Sequence, residues 1–342
     1  MEPGNQTEQS PRRTPANPLL KRPAFWALAA EEKKTRMGLL GECLRFAVVY
    51  LVGTLLQSLL VSIPMTAAAL RNLRDGVFDE AIRSGSIQTM VLKMAEQLPD
   101  WMTIVVLFCS AALGAAAIYH CRKKERRSLA SMGLIRRGLL PELIAGLAAG
   151  LVFFAAVVLL GRQVGAYTLS RIFPARREAM LLALALIGCL VSGASREILL
   201  RGYFAPTLNA TLPVVPVLLT STLMSLFLFG GAEMSVLTVG NTVLMNLALC
   251  ILTIKRGSLW AAIGLQGGWL FCLNFLFGFQ IADGDRLGLF RVDSAEYRTL
   301  LTGGVNGPES SICATVVWIV VLAAVLALPQ KNAAGTPAEN TL

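Results

Sequence analysis

Ionisable residues set inside apolar stretches are the places where this chain could do chemistry. Arg196, Glu197 and Arg201 stand in VSGASREILLRGYFAPTL, Glu233 in SLFLFGGAEMSVL, and Asn246 and Gln266 are their uncharged polar companions. A charge at membrane depth costs about 2.5–3.5 kcal/mol on insertion scales, so each is a functional candidate. Glu197 and Arg201 are four residues apart with the acid first, the order that pairs well on one helical face. That spacing equally suits an interfacial ion pair finishing a helix near the headgroups. Glu233 follows Gly230 and Gly231 and fits either a turn or a buried polar pair. Two carboxylates such as Glu197 and Glu233 could divide the roles of general acid and base. His120 is the single histidine, which excludes mechanisms needing several imidazoles from this chain alone. It closes an apolar run beside Cys121 and reads as an interfacial residue.

The elements that carry these residues are membrane helices. Of 342 residues, 55% are hydrophobic and 15% charged, against about 25% charged in a soluble domain, and the mean hydropathy is +0.61. The fold class is therefore an all-α, polytopic membrane protein. Eight stretches approach the roughly 20 residues that cross a bilayer: about 46–70, 101–120, 139–161, 179–195, 213–231, 234–254, 258–280 and 310–328. Residues 1–40 read as a disordered, partly basic tail with a surface-lying segment over 21–45, residues 41–330 as one membrane domain, and 331–342 as a second tail. Loop 71–100 carries Ile82, Ile87 and Val91 at spacings that suggest an amphipathic helix. Gly146 and Gly150 form G-x-x-x-G, a close-packing motif. Seven cysteines without a C-x-x-C pair give neither a disulfide framework nor a metal site.

The net charge of +10 sits in clusters flanking the spans, where topology and anionic lipid explain it better than nucleic acid. The clusters before the first span, after the second, after the sixth (Lys255, Arg256) and after the last (Lys331) fall on one side if the spans alternate. A multi-pass protein of the cytoplasmic membrane with both termini cytoplasmic is the expectation. Arg171, Arg176 and Arg177 then lie outside, against the trend.

Three segments in order resemble the CAAX protease and bacteriocin-processing family of intramembrane proteases, which includes the type II CAAX prenyl endopeptidases. Members carry E-E-x-x-x-R-G, F-x-x-x-H and G-S-[IL]-W-x-x-[IM]-x-x-H-x-x-x-[ND]. The counterparts here are Arg196 to Gly202, Phe229 to Glu233, and Gly257 to Leu270. The resemblance implies an eight-helix core over about 130–328. Glu197 and Arg201 keep the family's second Glu and its Arg. Arg196 replaces the water-activating Glu, Glu233 and Gln266 the two His, and Leu270 the final Asn or Asp.

Arginine stays protonated and cannot act as the base, glutamine shuttles no proton, and a zinc site of the family type loses both imidazoles. The expectation is a degenerate family member with no cofactor, acting as a binding or scaffold protein for a membrane protein or peptide in the former substrate cavity. A divergent peptidase using Glu197 and Glu233 is the first alternative and a small-molecule transporter the second. A salt bridge of Arg196 with Glu233, within about 4 Å, would make the site a structural polar core.

Overall fold

The computed structural model describes residues 20–34, 37–85, 99–171, 176–229, 235–279, 288–295 and 298–331. In chain order the helices are α1 (Ala24–Glu32), α2 (Leu39–Arg74), α3 (Asp79–Ser84), α4 (Asp100–Cys109), α5 (Ala111–Tyr119), α6 (Leu139–Gln163), α7 (Arg176–Glu197), α8 (Ala205–Asn209), α9 (Val214–Phe229), α10 (Val236–Arg256), α11 (Trp260–Phe271), α12 (Thr299–Thr302) and α13 (Ile312–Ala327). Strands β1 (Tyr167–Arg171) and β2 (Phe290–Ser294) form one antiparallel pair. The protein is an all-α polytopic membrane protein. Among the described residues, five continuous helical stretches are long and apolar enough to cross a bilayer, Leu39–Arg74, Trp101–Lys124, Leu139–Gln163, Ala179–Asn209 and Val236–Arg256. Three shorter apolar helices, Val214–Leu226, Trp260–Leu276 and Ile312–Ala327, fall where the other expected spans lie.

The fourth span does not stop at 195. A π-helical turn over Ile198–Phe204 joins α7 to α8, so one helix runs from Ala179 to Asn209. Arg196, Glu197 and Arg201 therefore lie inside a helix rather than at its headgroup end. Arg196 is the first charge after the apolar run and suggests the end of the span, but charges satisfied by neighbouring helices do not end a helix.

Helix α11 is the centre of the bundle and packs chiefly on α6 and α7. A Cβ placed on Gly146 would meet the Ala261 carbonyl oxygen at 2.1 Å, one on Gly150 the Leu265 oxygen at 2.3 Å, and one on Gly264 the Leu143 oxygen at 2.2 Å. The G-x-x-x-G of α6 thus faces a second one, Gly264 and Gly268, on α11. On the other flank of α11, Gly193 of α7 lies against Gly267 and Gln266, its built Cβ 3.0 Å from the Gly267 nitrogen. Without side chains at these points, dispersion between backbones replaces the hydrophobic drive that lipid removes.

The segment 21–45 is folded in rather than laid on a surface. In α1, Phe25 and Trp26 are buried, and the helix packs on the 3-10 turn Ala130–Met132 and on α8. Lys33 reaches Glu42 at 2.7 Å and Glu125 at 3.5 Å, Arg45 reaches Glu125 at 3.3 Å, and Arg127 reaches Glu125 at 3.0 Å and donates to Thr207 Oγ1 at 2.9 Å. Three of the flanking cations are thus internal partners. At the same end of the bundle, the Lys21 nitrogen donates to the Gln330 side chain at 2.9 Å and the Lys331 nitrogen to the Lys255 carbonyl at 2.7 Å. Residues 1–19 and 332–342 of the expected tails, and Ile87 and Val91 of the expected amphipathic helix, lie outside the described residues.

Two predictions follow from these contacts. Replacing Gly150 with Val drives a side chain into the α11 backbone and lowers the melting temperature in detergent by the equivalent of about 1–3 kcal/mol. Gly240→Ala, whose Cβ meets nothing within 4 Å, leaves it unchanged. Burial pushes the Glu125 carboxyl up, but Lys33 and Arg127 beside it bring it below the usual glutamate value. A group depressed in the folded state stabilises above its unfolded pKa and loses that contribution as pH falls through the folded value. Thermal unfolding followed from pH 7 to pH 3 should show a downward acid limb that Glu125→Gln flattens, with lower stability at pH 7 by about 3–5 kcal/mol for a broken buried pair.

Candidate functional site

The continuous helix through α7 carries Glu197 and Arg201 on one face, one turn apart. Both are buried, at 0% and 3% exposure, so they are not the interfacial pair that spacing alone allowed. Arg201 Nη1 donates to Glu197 Oε1 at 2.8 Å, and Arg201 Nη2 donates to Asn246 Oδ1 at 2.6 Å and to the Asn246 carbonyl at 3.3 Å. Ser225 of α9 donates to the same Asn246 Oδ1 at 2.7 Å, and Asn246 Nδ2 returns to the Thr242 carbonyl at 2.8 Å. Three membrane helices are joined through one ion pair and one amide.

Beside this network lies a cavity of about 390 Å³, within the range of small-ligand sites. Arg196 and Glu197 line it from α7 and Arg201 from the π-helical turn that follows, and Gln266 and Leu270 line it from α11 one turn apart. Five of the six positions singled out in the sequence therefore meet at one place, although 70 residues separate Arg196 from Gln266. Glu233, and with it the expected Arg196–Glu233 salt bridge, lies outside the described residues.

The carboxylate that does face Arg196 from across the cavity is Glu309. Glu309, Tyr50 and Glu197 are the acidic and phenolic groups in electrostatic reach of the guanidinium. Glu309 belongs to the 3-10 turn Pro308–Ser310 ahead of α13. Two neighbours hold it in the cavity wall. Trp269 Nε1 donates to Glu309 Oε1 at 2.6 Å, and Asn241 Nδ2 of α10 donates to the Glu309 carbonyl at 2.8 Å and the Ser311 carbonyl at 3.0 Å. Thr238 and Ser310 share a hydroxyl contact at 2.7 Å, and Trp318 of α13 packs on Trp269 with ring centroids 4.6 Å apart. Sequence reasoning missed Glu309, Asn241 and Trp269. A lone Glu in a loop that also holds Asp and Arg gives no signal, since only the fold turns it inward.

His120 lies elsewhere, its ring 5.4 Å from that of Tyr203. All seven cysteines are free. Among the described residues no three His, Cys, Asp or Glu side chains gather as metal ligands.

The network makes one variant diagnostic. Asn246→Leu removes the acceptor that both Arg201 and Ser225 use, leaving a buried guanidinium short of a partner. It should lower stability by about 1–3 kcal/mol. Ser225→Ala, which leaves Arg201 its acceptor, should cost less than half as much in the same thermal measurement.

Residues 178–272 match the family model for type II CAAX prenyl endopeptidase Rce1-like proteins, and that stretch contains Arg196, Glu197, Arg201, Gln266 and Leu270. No curated protein and no solved structure matches the chain. The chain is thus a multi-pass membrane protein in which the segment 178–272, similar to the type II CAAX prenyl endopeptidases, supplies most of the cavity lining.

Proposed function

We propose that this protein is a catalytically degenerate relative of the CAAX proteases that keeps the cavity for binding, as a membrane scaffold or as a holder of a membrane partner's helix or peptide. One observation carries the reading: Arg196, Glu197, Gln266 and Leu270 wall a single cavity, so the substitutions fall together where the family's reaction would take place. Peptide hydrolysis there needs a base for water and donors for the oxyanion. Arg196 takes no proton, Gln266 carries none, and Leu270 offers neither donor nor acceptor.

Glu197 is committed through Oε1 to Arg201, and Glu309 through Oε1 to Trp269. Nor does this donor set suit a divalent metal: two guanidinium groups adjoin two carboxylates, and neither imidazole of a family-type zinc site is present. The protein works without a cofactor in this reading. Its setting is the cytoplasmic membrane with both termini inside, supported by the contacts of Lys21 with Gln330 and Lys331 with Lys255 at the basic end of the bundle.

A second reading keeps proteolysis, with Glu197 as base and Glu233 as second carboxylate. It is favoured by Glu197 Oε2, which is buried without a hydrogen-bond partner. A cleavage assay decides between them. Purified protein is incubated with membrane-spanning and prenylated peptides beside Glu197→Ala and Glu233→Ala variants. The binding reading expects no turnover that depends on either glutamate, and glutamate-dependent cleavage overturns it.

A further inference from the structure

Two acceptors in the cavity wall have no donor among the described residues. Glu197 Oε2 and Gln266 Oε1 are both buried without a hydrogen bond, on residues only 0% and 4% exposed, and both residues line the same cavity. They come from different helices that are held together. Gly193 packs against the backbone at Gln266 and Gly267, and Glu197 follows one helical turn along, about 5.4 Å. Buried polar atoms are nearly always satisfied, so a pair left open in one cavity marks a place for outside donors.

Charge and donor number narrow the class of occupant. Among the described residues, Arg196 and Arg201 are balanced by Glu197 and Glu309 around the cavity. A cation or an anion would leave that balance with an uncompensated buried charge, and a carboxylate would also set its lone pairs against Glu197 Oε2. An alcohol brings one donor, whereas a carboxamide nitrogen brings two and its carbonyl accepts from a partner amide. The Gln266 side chain is itself an amide, so a second carboxamide can pair with it edge to edge, N–H to O in both directions, and give its remaining N–H to Glu197. The apolar lining of Met245, Leu249, Leu273 and Trp318 suits a short hydrocarbon stem behind that polar end.

We propose that this cavity binds an uncharged carboxamide, bridged between Glu197 Oε2 and Gln266 Oε1. The inference rests on the binding reading above and names the chemistry of its ligand. A free small amide and an Asn or Gln side chain of a polypeptide present the same group.

The test is titration of the purified protein with propionamide, propionate and propylammonium at constant ionic strength, followed by tryptophan fluorescence, because Trp318 lines the cavity and Trp269 packs on it. Propionamide should give a saturable change and the two ions none. Gln266→Met should weaken propionamide by about tenfold to a hundredfold, because it removes both hydrogen bonds of the edge-to-edge pair. Its melting temperature should not fall, because the oxygen removed bonds nothing among the described residues. A blocked asparagine peptide that competes with propionamide assigns the site to a polypeptide side chain, and one that does not compete assigns it to a free amide. No saturation, equal binding of propionate, or binding indifferent to Gln266→Met overturns the proposal, the last being the signature of a cavity filled by water alone. If titration fails while the cleavage assay stays silent, only the carboxamide assignment falls. Glutamate-dependent cleavage would instead remove the binding reading beneath it.

Discussion

The position of α11 depends on how closely its backbone can approach α6 on one flank and α7 on the other. In lipid, apolar side chains gain little by leaving their surroundings, so helices associate where backbones can touch over a long, well-fitted contact. Gly146, Gly150, Gly264 and Gly268 make that contact on the α6 flank, and Gly193 and Gly267 on the α7 flank. The spacing leaves Gln266 and Leu270 turned toward Arg196 and Glu197. Had α11 stood off by one methyl group on either flank, the cavity would have a different wall and the polar residues different neighbours.

With that spacing set, the charges at membrane depth become structural rather than merely tolerated. Arg201 draws α7, α9 and α10 together through Asn246 and Ser225. Asn241 and Trp269 hold the turn before α13 so that the Glu309 carboxylate faces Arg196. Removing one member of such a set exposes the others, which is why buried ionic networks are costly to edit singly even where the whole could be exchanged for apolar residues. The Lys33, Glu42 and Glu125 cluster applies the same logic at the basic end, where it ties α1 to α2 and to the turn after the second span.

Much of this architecture was legible from composition and spacing. Apolar run length locates the membrane helices because the bilayer imposes a length. Motif order brings Arg196, Glu197, Arg201, Gln266 and Leu270 to one site. Helix ends were less legible: the first charge looked like the end of the fourth span, whereas Arg201 is satisfied across helices and the chain continues through a π-helical turn to Asn209. Glu309 was illegible for a related reason. Its inward position rests on contacts with Trp269 and Asn241, 40 and 68 residues away. No local pattern encodes a partnership over that distance.

The persistence of the cavity bears on what the protein does with it. A void in a helix bundle forfeits dispersion contacts on every lining atom, and open acceptors in its wall add a desolvation cost. A chain relieved of a reaction has an easy route to greater stability: a larger apolar residue at position 266 would fill space and remove an orphaned oxygen at once. The chain instead keeps an amide there, beside a glutamate whose second oxygen is unpartnered, with charges around the cavity that balance. Glu197 alone could be retained as the counterion of Arg201, a structural duty. Gln266 has no such duty among the described residues, so its presence at the wall argues for an occupant.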